Sequence, residues 1–357
     1  MGAYRGFLIP WGTGIVVVLG AFLLFAYAIG WPGKVNDCVT QTPNGCYCEA
    51  FNLTEAESSN PHGVQQPVNT WFNLYAIGTS LWVAIFVFLD RSNGTGHSNL
   101  ISSKDSWIPD LFIFAVLFLG LGSMWFHASI KQWGGLTDQL SMFVFTAFLV
   151  AYSLRRLWQN DWAFWIGYLL LVVVFTWLAA VITYSQISLV LILILVGMYL
   201  VFELVANGKS ASPWWWSFSR WRWLAAVGCI AVATVSWALS QTDGPLCFDK
   251  GTSAFQPHGL IWHPFAGFMA VFLYHYWRED IDGPQEDTDT QIPWWASLIM
   301  AVVFVGLIAG ALAAQPTPKE PTGQSSSGLQ QQKTKPQPKG NPQPKGNPHG
   351  APTPKRH

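Results

Sequence analysis

The chain has 357 residues, 51% of them hydrophobic and 11% charged, with 19 basic and 19 acidic side chains and a formal net charge of zero. Soluble domains carry roughly a quarter charged residues, so this composition excludes an ordinary soluble domain. The net charge itself says little about partners, since the bilayer is the main one; no nucleic-acid partner is expected.

Apolar runs of roughly 20 residues, the length that crosses hydrocarbon as a helix, recur between short charged clusters. Trp11, Trp31, Trp107, Trp158, Trp162, Trp294 and Trp295 flank them, as in an aromatic belt at headgroup level. Nine spans are predicted, at 7–29, 70–90, 108–128, 136–156, 162–183, 186–206, 221–241, 257–277 and 293–314. The first, within residues 1–30, is read as a transmembrane helix rather than a signal peptide, because no small-residue cleavage site precedes Trp31 and Pro32. Residues 31–69 form a polar loop, and residues 315–357 a Pro-, Lys-, Gln- and Gly-rich tail that cannot bury a core and is expected to be disordered. The fold class is therefore all-α, a polytopic membrane helix bundle.

Basic residues in alternate loops set the orientation. Arg5, Arg91, Lys104, Arg155, Arg156, Lys209, Arg220, Arg222 and Arg278 share one side, read as cytoplasmic; Lys34, Lys131 and Lys250 fall on the other. Cys38, Cys46, Cys48 and Cys247 all lie in non-cytoplasmic loops, where disulfides persist. A Cys48–Cys247 link and a local Cys38–Cys46 link are both open on this evidence. Cys229, inside a span, reads as a small buried hydrophobe.

Ionisable groups inside a bundle are costly unless paired or bound, so each is a functional candidate. His127 ends the third span, Asp138 begins the fourth, and His258 and His263 begin the eighth; span parity puts all four on the non-cytoplasmic side. Three imidazoles with an open fourth position suit a catalytic zinc ion, beside which Asp138 can orient a water or take its proton. Ser123 lies one helical turn before His127, on the same face. It can serve an oxyanion or bond a backbone carbonyl in its own helix. Glu203, near the cytoplasmic end of the sixth span, is expected to snorkel or to pair with Lys209.

Taken in order, Cys48-Glu49, Asn69-Thr70-Trp71, Ser123-Met-Trp-Phe-His127, Asp138-Gln-Leu-Ser-Met142, Trp237, Asp243, Cys247 and His258-Gly-Leu-Ile-Trp-His263 resemble the signature of the CREST superfamily, and specifically of alkaline ceramidases. The resemblance covers roughly residues 46–278. It implies a seven-helix core over residues 70–278, with one extra N-terminal span and one extra C-terminal span at 293–314. It implies zinc held by His127, His258 and His263, with Ser123 and Asp138 serving the oxyanion and the attacking water, and it supports the Cys48–Cys247 disulfide. The implied activity is hydrolysis of the N-acyl bond of ceramide-like membrane lipids to a fatty acid and a sphingoid base. Alternatives are a lipid esterase of the same superfamily, or a non-catalytic receptor- or transport-like bundle that binds metal. Oligomeric state is not legible.

Two departures from the family pattern stand out. The family spaces its last histidines four apart, whereas here they are five apart, which on an ideal helix separates the rings by about 140°. A π-bulge or a loosened first turn after Pro257 would restore a common face. Some members also hold calcium with acidic residues ahead of the first core helix. Glu49 and Asn52 stand where such ligands are expected, but Gln66 occupies the place of an acid, which counts against Ca2+.

Overall fold

A computed structural model of the chain describes residues 2–36, 38, 47–50, 61–93, 101, 106–181, 187–208, 218–242, 244–248 and 255–279. The expected span at 293–314, the tail at 315–357, and Cys46, Asn52, Lys209 and Asp243 lie outside the described residues. In order, the elements are α1 (Gly2–Leu24), continued by a π-turn at Phe25–Ile29, α2 (Pro67–Phe72), α3 (Tyr75–Asn93), α4 (Ile108–Ser129), α5 (Gln132–Trp158), α6 (Asp161–Val181), α7 (Ile187–Gly208), α8 (Phe218–Leu239), a second π-turn at His258–Trp262, and α9 (His263–Glu279). Among the described residues the only extended pairing is one isolated bridge, Val35 to Lys131.

Among the described residues, seven helical segments, α1 and those from α2–α3 through α8, are long and apolar enough to cross a membrane. The chain is an integral, multi-pass membrane protein. The 17-residue α9 reaches comparable length only with the five-residue π-turn before it. These elements coincide with the predicted spans to within a few residues, because apolar run length is what sets both. Local signals fix several ends. Pro67 and Pro109 occupy first-turn positions, where a missing N–H costs nothing, and Ser106 Oγ accepts the Ile108 N–H at 3.1 Å.

α4 and α5 form the centre of the bundle: 16 of 22 and 17 of 27 of their residues are buried, against 3 of 21 for the lipid-facing α6. α4 packs on α3 and α5, α5 on α6 and α7, and α9 on α8 and α3. Glycines permit the close approaches, as in membrane interfaces generally. A Cβ on Gly122 would stand 2.8 Å from Ser141 Cβ of α5, and one on Gly267 would stand 2.5 Å from Tyr75 Cδ2 of α3. The α4–α5 connection turns on Ile130, a β-branched residue at φ 50°. That left-handed conformation costs on the order of 1–2 kcal/mol, and it returns the chain so that the end of α4 faces the start of α5.

Among its described side chains, the N-terminal helix packs on the bundle through its C-terminal end. Phe22, Ala26 and Trp31 pack against Leu121, Met124 and Ala128 of α4, and Trp31 Nε1–H donates to Gly63 O at 2.7 Å. Val16 and Val17, further back along α1, are exposed.

At the opposite end of the bundle Glu203 is fully buried. Its partner is the Arg156 guanidinium of α5. Ser153 Oγ–H (2.5 Å) and Trp277 Nε1–H (3.2 Å) also donate to it. Arg156 reaches on to Tyr276 and Asn207, both at 3.3 Å, so one buried polar knot ties α5, α7 and α9. Full burial corrects the expectation that Glu203 snorkels, and Lys209 lies outside the described residues; cross-helix pairs leave no trace in sequence spacing.

Candidate metal centre and catalytic site

His127 comes from the last turn of α4, His258 from the π-turn, and His263 from the first residue of α9. The five-residue spacing is resolved by the π-turn, in which positions five apart stack. The three rings meet, with centroids 4.9–5.6 Å apart. All three are buried, and each offers one ligand nitrogen such that the set lies within 4.8 Å. Two buried nitrogens, His127 Nε2 and His258 Nδ1, have no hydrogen-bond partner. Lone pairs left without a partner in a dry site are expensive, and a metal ion is the partner that three converging imidazoles fit.

The tautomer of His127 is fixed by its other side. Gln66 Oε1, which can only accept, takes the His127 Nδ1–H at 2.7 Å, so Nε2 carries the lone pair that faces the cluster. Gln66 is itself pinned: its amide donates to Glu49 O at 2.8 Å, and its backbone N–H to His127 O at 3.1 Å. Asn73 Nδ2–H points at His263 Nε2 from 3.2 Å. Tyr47 lies flat on His258, with ring centroids 4.0 Å apart and 21° between planes, and stands 5.1 Å from His127. Burial, and secondarily the nearby Asp138 carboxylate, push the Tyr47 phenol well above its usual range, so it stays protonated.

Asp138 and Ser123 are both buried, Ser123 one turn before His127, and the Ser123 hydroxyl lies close enough to interact with the Asp138 carboxylate. Gly122 makes this pairing geometrically available by letting α4 close on α5. One turn further into the bundle, Leu119 follows Ser123 on α4 and Met142 follows Asp138 on α5. These two begin the lining of a cavity among α4, α5, α7, α8 and α9, nearly all of it apolar. Trp237 and Trp262, 5.1 Å apart, stand at its end nearest the histidines.

Residues 64–303 match the family model described as Ceramidase. The chain belongs to the ceramidase family. No curated protein and no solved structure matches it significantly. As in the expectation drawn from that resemblance, Cys48 is bonded to Cys247 across 199 residues; Cys38 is also disulfide-bonded, and Cys229 is buried and free.

In this member of the ceramidase family, Glu49 caps a helix. Its two carboxylate oxygens accept the Val68 and Asn69 N–H groups at 2.7 and 2.8 Å, at the start of α2. Burial pushes its carboxyl up, against the pull of those two amides. The disulfide, the Glu49 cap and the Gln66 bridge thus form one strut from the polar loop to His127. Sequence reading missed Tyr47, Asn73 and the orienting role of Gln66. Polar side chains next to the start of a span were the available signal, but they read equally well as loop.

Proposed function

We propose that the chain is a zinc-dependent intramembrane amidase that cleaves the N-acyl bond of ceramide-like lipids, with its site on the non-cytoplasmic side. The observation that carries this reading is the convergence of His127, His258 and His263, with two unpartnered ring nitrogens, beside the Ser123–Asp138 pair. Among the described residues the metal-holding group comprises these three histidines alone. A purely structural zinc site would be closed by a fourth protein ligand. Family membership supports a lipid amide as the bond cleaved.

When bound, zinc at such a site supplies Lewis acidity and a water made acidic enough to attack near neutral pH. The protein's own groups do the rest. Asp138 accepts a proton from the attacking water as its oxygen adds to the acyl carbon, and delivers it to the nitrogen as the C–N bond breaks. The products are a carboxylic acid and an amine. Ser123 holds the Asp138 carboxylate in the ground state. Serving the oxyanion as well requires its single O–H to swing from Asp138 to the carbonyl oxygen. Gln66 and Asn73 hold two of the imidazoles in place, and Tyr47 covers the third. The apolar cavity beside the pair gives one hydrocarbon chain a place within the bundle.

The test is fatty-acid release from N-acyl sphingoid bases by purified protein, with zinc counted per chain. Near-stoichiometric zinc is expected, and both chelation and His127→Ala should abolish release. Full activity in that variant ends the proposal, and release only from ester substrates replaces the amide with an ester.

A further inference from the structure

The apolar cavity has a defined floor. Its lining runs down α5 from Met142 to Leu149 and down α7 from Ile192 to Tyr199. Tyr199 is buried, and its hydroxyl accepts the Trp223 Nε1–H at 3.1 Å, which fixes the ring from α8. Edge-on to it, at 6.4 Å, stands Trp277, itself fully buried. One turn beyond Tyr199 on α7 comes Glu203 in its ion pair with Arg156. The interior therefore changes from apolar to charged across one tyrosine ring. A hydrocarbon chain that enters at the Ser123–Asp138 end meets the ring first and the ion pair behind it. Burying a methylene against that ion pair would displace its hydrogen bonds and return nothing.

We infer that Tyr199, braced by Trp223, sets the longest hydrocarbon chain the cavity accepts, and so selects substrates by chain length. The inference rests on the reading of the site as lipid-cleaving. Eleven residues separate Asp138 from Leu149, about 16 Å of helix at 1.5 Å per residue. An extended chain advances about 1.3 Å per carbon, given C–C bonds of about 1.5 Å. The floor thus lies about twelve carbons below the carboxylate. Removing the Tyr199 ring opens about four carbons more.

Two substitutions test this in opposite directions. Tyr199→Ala deepens the cavity, and Ala226→Phe fills it from α8, where Ala226 lines the same deep end; Tyr199→Phe keeps the ring. The full chain in nanodiscs is assayed with N-acylsphingosines graded from eight to 24 acyl carbons, and by thermal shift with free fatty acids of the same lengths. The expected result is that the longest chain hydrolysed, and the longest that stabilises, move up by about four carbons in Tyr199→Ala. Both should move down in Ala226→Phe and stay put in Tyr199→Phe. Hydrolysis by the unaltered chain with a length profile that neither variant moves overturns the gauge and leaves the amidase intact. Absence of hydrolysis, with fatty-acid stabilisation shifting as described, overturns the amidase and leaves the gauge. If Tyr199→Ala fails to fold, an unmoved limit in folded Ala226→Phe is sufficient to reject it.

Discussion

Gln66 shows how much a single neutral side chain decides at this site. Its carbonyl oxygen dictates which nitrogen of His127 carries the proton, and with it which nitrogen faces the other two rings. Partners of this kind orient metal ligands and typically change metal affinity 10–100-fold when lost. Gln66→Ala should therefore weaken zinc binding by about 10–100-fold in a chelator competition, while Gln66→Glu, which still accepts from Nδ1, should stay much closer to the unaltered protein. Equal affinities in all three would show that the contact orients nothing. At this scale the sequence was legible where a residue is out of place in hydrocarbon. His127, Asp138, His258 and His263 stand out because ionisable groups in a span demand a reason. Gln66 and Asn73 do not, because an amide at the mouth of a helix is ordinary until its partner is seen. Sequence reading weighed Gln66 only against calcium, and its bond to His127 is a second role that spacing does not reveal.

Spans were the most legible elements, since twenty apolar residues have few other fates, and the π-turn is one of the two ways the five-residue histidine spacing left open. What the sequence hid was helix adjacency. Gly122 is one glycine among 32, and only the structure shows it pressed against Ser141 at the level of Asp138. A Cβ there would stand 2.8 Å from the Ser141 Cβ and 3.0 Å from the Thr137 carbonyl oxygen, so α4 and α5 must separate. Gly122→Ala is expected to cost about 1–3 kcal/mol of stability. It should also lower turnover of the folded fraction more than it lowers zinc content, because Ser123 and Asp138 move apart while the histidines on α4 and α9 still meet. Thermal unfolding in detergent and kcat with metal analysis on the same sample check both parts.

Across the whole molecule, chemistry collects at one end of the bundle and charge-pair anchoring at the other. The disulfide, the Glu49 cap and the three histidines share the first end; Arg156, Glu203, Tyr276 and Asn207 close the second. Breaking a buried ion pair by removing one partner costs about 3–5 kcal/mol, so Arg156→Ala should lower the unfolding midpoint sharply. Zinc per folded molecule should be unchanged, since the site lies at the far end. A loss of zinc in the folded fraction would show that the two ends are coupled. The spans that fall on described residues, the shared end of the histidines and the membrane class were readable from the chain; the anchoring end was not, because Arg156 and Glu203 lie 47 residues apart. Helices ordinarily tolerate deletions poorly, as each removed residue rotates all that follows by about 100°. The turn ahead of α9 is built to a different rule. Excising Leu260 would shrink the π-turn to an α-turn, with His258 and His263 then four apart and still on one face. A chain shorter by that one residue should fold and load zinc as before, read by thermal unfolding and zinc counted per chain, whereas the same excision in the middle of α4 should do neither.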